Sequence, residues 1–185
     1  MPVSNWPPFS HKGITYDFGH LADLEVHFVD STSIERLILV TFHDHCVTRD
    51  PVAGDDPALR FPGCSRKPGP GMFCAERYEH SKGLRAHLAA VAGQKVWVLW
   101  DTNFAVIPCV TSKGKRVLYG IVFSLDKHTG DKYDLVLRVR SAYQCDEKKI
   151  ETYGAVSFLT LVRLRLEGKQ PRRIKDRNQK RPQLT

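Results

Sequence analysis

Leu24-Glu25-Val26-His27-Phe28-Val29 alternates apolar and polar positions with a period of two, and Ile34 to Phe42 follows as a nearly unbroken apolar run. Between them, Asp30-Ser31-Thr32-Ser33 supplies turn chemistry, so the segment predicts a hairpin whose second strand is well buried. Residues 1 to 12 are rich in proline and polar groups without any period, and predict a loosely held, flexible arm with order beginning near Ile14. Thr48 to Met72 carries five prolines and four glycines with no periodicity. A stretch of that length is a loop with a function or without order.

Leu84, Leu88 and Val91 recur at helical spacing, and Gly93 offers a C-terminal stop, so Glu76 to Val91 predicts a helix with Gly83 as its weak point. Strands follow at Lys95 to Trp100, Phe104 to Thr111, Arg116 to Leu125 and Tyr133 to Ala142. The second and third of these are joined by the hairpin connection Ser112-Lys113-Gly114-Lys115. Val156 to Leu166 mixes strand-like alternation with leucine richness, and its length favours a helix. Together these elements give an α+β domain over residues 13–168: a curved antiparallel sheet with two packed helices, followed by a disordered basic tail over 169–185.

Composition narrows the class. A hydrophobic share of 42% and a charged share of 26% suit a globular protein of 185 residues, with one core and no apolar run long enough for a membrane span. No secretory leader is visible at the N-terminus, so the cytoplasm is the expected location. Five cysteines, Cys46, Cys64, Cys74, Cys109 and Cys145, form no obvious pairs. Of the formal charge of +8, the segment after Gly168 carries +6 through Lys169, Arg172, Arg173, Lys175, Arg177, Lys180 and Arg181 against Asp176. Those seven cations are the candidate nucleic-acid-binding residues, since clustered positive charge attracts phosphate by counterion release. Solubility alone is the plainer explanation of the same tail.

Three polar clusters sit where elements meet loops, the usual mounting for functional groups. His43-Asp44-His45-Cys46 closes the apolar strand, and His45 is the candidate general base or acid because imidazole titrates near neutrality. A polar strand end explains these histidines as simply. Cys46 reads as a small core residue, and the cysteine and histidine spacings match no zinc pattern, so no metal and no cofactor are predicted. Arg77, Tyr78, Ser81 and Lys82 lie in the first turns of the helix, where Arg77 and Lys82 suit an anionic ligand, though a solvated charged face has the same pattern. His80 and His87 read as surface positions. Ser141 and Tyr143 share one face of a strand end, with Ala142 turned the other way.

Tyr16 to Leu21, His45 to Arg49, Glu76 to Lys82, Asn103-Phe104 and Val139 to Tyr143, taken in order, resemble a family of small bacterial proteins described as hypothetical or as stationary-phase growth adaptation proteins, often found among mobile-element genes. The resemblance covers residues 14 to 174. The Ser141-Ala142-Tyr143 strand is also similar to the Thr/Ser-Ala-Tyr strand of small metal-independent ribonucleases and toxins of the barnase, EndoU, colicin and RelE group, except that Gln144 stands where that group carries proline. This second likeness implies RNA cleavage by internal transesterification, with His45, Arg77, Lys82, Ser141 and Tyr143 as the catalytic set. The expected partner is therefore nucleic acid, RNA in particular. The alternative is a module that binds nucleic acid or a protein without catalysis, an inhibitor or regulator from a mobile element, and a third reading is a small zinc-stabilised domain. Whether the three clusters meet in space decides between the first two.

Overall fold

A computed structural model describes residues 6–30, 32–62, 71–110, 114, 116–145 and 152–172. Its centre is a curved, mostly antiparallel half-barrel of seven strands with three helices. The hairpin read from the sequence is present as β3 (Leu24–Val29) and β4 (Glu35–Phe42), preceded by a small two-stranded sheet of β1 (Phe9–His11) and β2 (Ile14–Tyr16). The next pair, β5 (Thr48–Arg49) and β6 (Met72–Phe73), closes the base of the proline-rich loop. After α1 (Ala75–Ser81) and α2 (Leu84–Val91) come β7 (Lys95–Val98), β8 (Asn103–Val110), β9 (Arg116–Lys127) and β10 (Leu135–Cys145). The described chain closes with β11 (Ala155–Ser157) and α3 (Phe158–Leu166). Across the large sheet the strand order is β11-β7-β8-β9-β10-β4-β3, and every neighbouring pair is antiparallel except β4 with β10.

The core follows from alternation. On β9, Tyr119, Ile121, Phe123 and Leu125 point to one face and are fully buried, joined there by Ala105 and Ile107 of β8 and Val139 and Ala142 of β10. Leu84 and Val91 of α2 and Phe158, Leu161 and Val162 of α3 belong to the same apolar cluster. On the opposite face Gly120 gives way to a neighbouring ring: a Cβ there would lie 2.6 Å from Phe104, a distance that no side chain tolerates.

Three expectations need correction. Within the arm predicted over residues 1–12, the described part is packed rather than loose: Phe9 is buried against Phe73 (4.7 Å between centroids), and Trp6 meets Phe18 and Phe61 edge-on. Aromatic burial there outweighs the local proline content. The single helix over 76–91 is two helices broken at Lys82–Gly83, at the glycine that weakens the helix, and the His87 ring lies close over it, 3.1 Å from where a Cβ would stand. Val156 to Leu166 is both things at once: Ser157 ends β11 and caps α3, its hydroxyl accepting from the Thr160 amide. No helix among the described residues is long and apolar enough to cross a membrane. Of the basic tail, Arg173 onward lies outside the described residues; Lys169 is paired with Glu167 and Arg172 is exposed.

Candidate functional site

The site grows from the end of β4. Where that strand leaves the sheet, the His43 amide donates to Val139 of β10 (2.9 Å), and the chain turns through the 3-10 segment Asp44–Cys46, held by Cys46 N–H to His43 (3.0 Å) and Val47 N–H to Asp44 (2.9 Å). Cys46 is the core residue that the sequence implies: it is fully buried, its Sγ faces the Val139 carbonyl, and burial pushes its thiol up to about 12.

β10 presents the second wall. A register shift between Val139 and Ser141 keeps Ala142 in the core opposite Ile121 and leaves Ser141 and Tyr143 on the other side of the strand. There Ser141 Oγ reaches the His45 carbonyl at 3.4 Å, and the Tyr143 ring lies under the Arg77 guanidinium, 5.2 Å from ring centroid to Cζ. Arg77, from α1, completes the cluster. Its Nη1 donates to the carbonyls of both His45 (3.0 Å) and Thr48 (2.6 Å), so the guanidinium ties the turn to the helix. Burial is the main cause raising the Tyr143 phenol above its ordinary value, with Arg77 pulling the other way.

Arg77 and Ser141 thus meet at the main-chain carbonyl of His45, with Tyr143 under the guanidinium, so these contacts engage the backbone of the turn and not the His45 imidazole, which stacks on His43. Lys82 does not join them. It pairs with Glu79 (2.8 Å) and lies over the Tyr78 ring, because spacings of three and four residues place it on their face of the helix and five residues place it away from Arg77. Tyr78 and Ser81 likewise serve the fold: the Tyr78 hydroxyl donates to Asp17 (3.0 Å), and Ser81 donates to Tyr78 (2.7 Å) while meeting His20 Nε2 (2.7 Å). His80 and His87 are half-buried rather than surface groups, both packed on the Tyr119 ring.

Asp44 is the residue that sequence reasoning passes over. It is 3% exposed, and its Oδ1 lies 2.5 Å from His43 Nδ1. Burial would raise its carboxyl, but the contact with His43 and the neighbouring His45 outweigh it and hold the group below the ordinary carboxylate value. The two imidazoles stack, 5.7 Å between centroids and 13° between planes. One ligand-type atom from each of His43, Asp44 and His45 falls within 4.8 Å of the others. The only sequence signal for this was an aspartate between two histidines at the end of a buried strand.

A family model described as the YjaZ family matches residues 8–166, and the chain belongs to that family. No curated protein and no solved structure matches it.

Proposed function

We propose that this YjaZ-family chain is an RNA-binding protein that cleaves RNA by internal transesterification, a reaction suited to its side-chain chemistry; no family model, curated protein or solved structure links it to a ribonuclease. The observation that supports the reading is that Arg77, Ser141 and Tyr143 gather at the turn whose backbone carries His45. Placed there, imidazoles, a guanidinium and hydroxyls offer a base, a counter-charge and positioning groups for a phosphodiester. His45 takes the proton of the ribose 2′-hydroxyl as that oxygen attacks phosphorus. Arg77 offsets the charge gathering on the phosphate, while Ser141 and Tyr143 orient it. The bond to the 5′-oxygen breaks and that oxygen takes a proton, and supplying it is a role open to His43, whose ring stacks on His45. The products are a 2′,3′-cyclic phosphate and a 5′-hydroxyl. The basic residues after Gly168, Lys169 and Arg172 among them, add sequence-independent attraction.

A second reading, a module that binds RNA or a protein without cutting it, is favoured by one observation: Nη1 of Arg77 is spent on two backbone carbonyls, as in a structural clamp. The wild-type protein separates the two. RNA and a matched strand carrying 2′-deoxy at every position are incubated with it in EDTA. Cutting of RNA alone, leaving cyclic phosphate, is the expected result, and His45→Ala should remove most of it. Equal cutting of both strands excludes the mechanism, and binding of RNA without cutting selects the second reading.

A further inference from the structure

We infer that His43, Asp44 and His45 form a binding site for one divalent transition-metal ion of the Zn²⁺ type. The inference goes beyond the RNA reading and does not depend on it. Three donors of the right kind converge on one point, their ligand atoms lying within 4.8 Å of one another. With bonds of about 2.0–2.2 Å, a tetrahedral ion holds its ligand atoms roughly 3.4 Å apart. His43 Nδ1 stands 2.5 Å from Asp44 Oδ1, inside that spacing, so taking up an ion requires the half-exposed His43 imidazole to turn away from the carboxylate.

The independent observation is Asp44 itself. The residue is 97% buried, its Oδ1 is ion-paired with His43 Nδ1 at 2.5 Å, and neither the carboxylate oxygens nor that nitrogen has a well-aligned hydrogen bond. The pairing with His43 offsets part of the cost of burying the carboxylate, and a cation held between it and the two imidazoles would offset more. The approach of Nδ1 to Oδ1 is too poorly aligned for an N–H donor to serve both.

The donor set specifies the class of ion. Two imidazole nitrogens and one carboxylate suit Zn²⁺, Co²⁺ or Ni²⁺, whereas Mg²⁺ and Ca²⁺ require oxygen ligands. Cys46 is turned into the core toward Val139 and is no part of the shell. Three protein ligands leave a tetrahedral ion one open position, so the ion is exchangeable and can meet a small anion or water. The Arg77 guanidinium is held against the His45 and Thr48 carbonyls, which lessens its repulsion of an ion on the imidazole side. A ligand His45 cannot also accept a proton, so loading the ion silences the cleavage proposed above.

The test is calorimetric titration of chelator-treated full-length protein with zinc chloride at neutral pH, in the absence of RNA. We expect one equivalent bound, with at least a tenfold loss of affinity in Asp44→Asn and in His43→Gln, no change in Cys74→Ala, and no binding of Mg²⁺. Cobalt loaded in place of zinc should give the intense visible absorption of a tetrahedral ion in the wild type, a readout that does not require the variants to fold. Absence of stoichiometric zinc binding, unchanged affinity in both ligand variants, a pale octahedral cobalt spectrum, or equal binding of Mg²⁺ would each overturn the site. Because no RNA is present, failure here leaves the cleavage reading to its own experiment.

Discussion

Arg77 and Tyr78 are neighbours on α1, yet they serve regions of opposite character. Tyr78 faces a knot of aromatic rings, Tyr16, Phe18 and Phe73 among them, in which its hydroxyl is paired with the Asp17 carbonyl. Arg77 faces the turn after β4, where buried polar atoms of His43, Asp44 and Thr48 lack hydrogen-bond partners. Folding alone accounts for the first region, since edge-on rings and a satisfied hydroxyl are what a core requires. The second tolerates a cost that packing does not explain, and such costs gather at sites built for a ligand.

The comparison breaks first at Phe73. Its ring touches Phe9, Tyr16 and Tyr78 and is almost fully buried, so Phe73→Ala should destabilise the protein by about 3–5 kcal/mol in urea unfolding. A loss under about 1 kcal/mol would show that the knot is not the stabilising region. Arg77→Met should cost about 2–3 kcal/mol, because it leaves the His45 and Thr48 carbonyls without their donor. Its denaturation midpoint, measured against wild type, checks whether the guanidinium holds the turn.

Tyr78→Phe removes one partnered hydroxyl and should cost about 1 kcal/mol by the same measurement. Thr48→Val should go the other way. The Thr48 hydroxyl is buried without a partner, so an apolar group of the same shape should leave stability unchanged or raise it by roughly 0.5 kcal/mol. A clear loss there would mean that the turn is as well satisfied as the knot. The smallest effect is a slope. Burial, and then Lys82, hold His20 below its ordinary value of 6.5 against the pull of Asp17. A depressed folded pKa means that the unfolded chain binds more protons, so this contribution is complete above the unfolded value and fades as pH falls below it. His20→Gln should flatten that acid-side decline, read as stability at successive pH values.

Strand periodicity made β3, β4 and the run β7 to β10 legible in the sequence, because alternation and burial are local statements about the same residues. Gly83 marked the weak point of the helix, and the break falls there, but the packing of His87 on Tyr119 of β9 is a tertiary contact that the helical pattern does not announce. Chemistry at the site was half visible. Residue type pointed to His45, Arg77, Ser141 and Tyr143, and topology joined them. Lys82 had the same credentials and was drawn off to Glu79. Asp44 stayed hidden because nothing in a sequence says that a carboxylate between two histidines will be buried.

The parallel pairing of β4 with β10 sets Ile38 beside Leu135 and brings Ser141 to a turn 96 residues earlier in the chain. During synthesis, then, the β3–β4 hairpin leaves the ribosome with the free edge of β4 waiting for a strand made almost a hundred residues later. Pairings so distant in sequence form late and slowly. The polar turn is consequently among the last parts of the molecule to be assembled: a chain interrupted before β10 can hold much of the aromatic knot and still have no site.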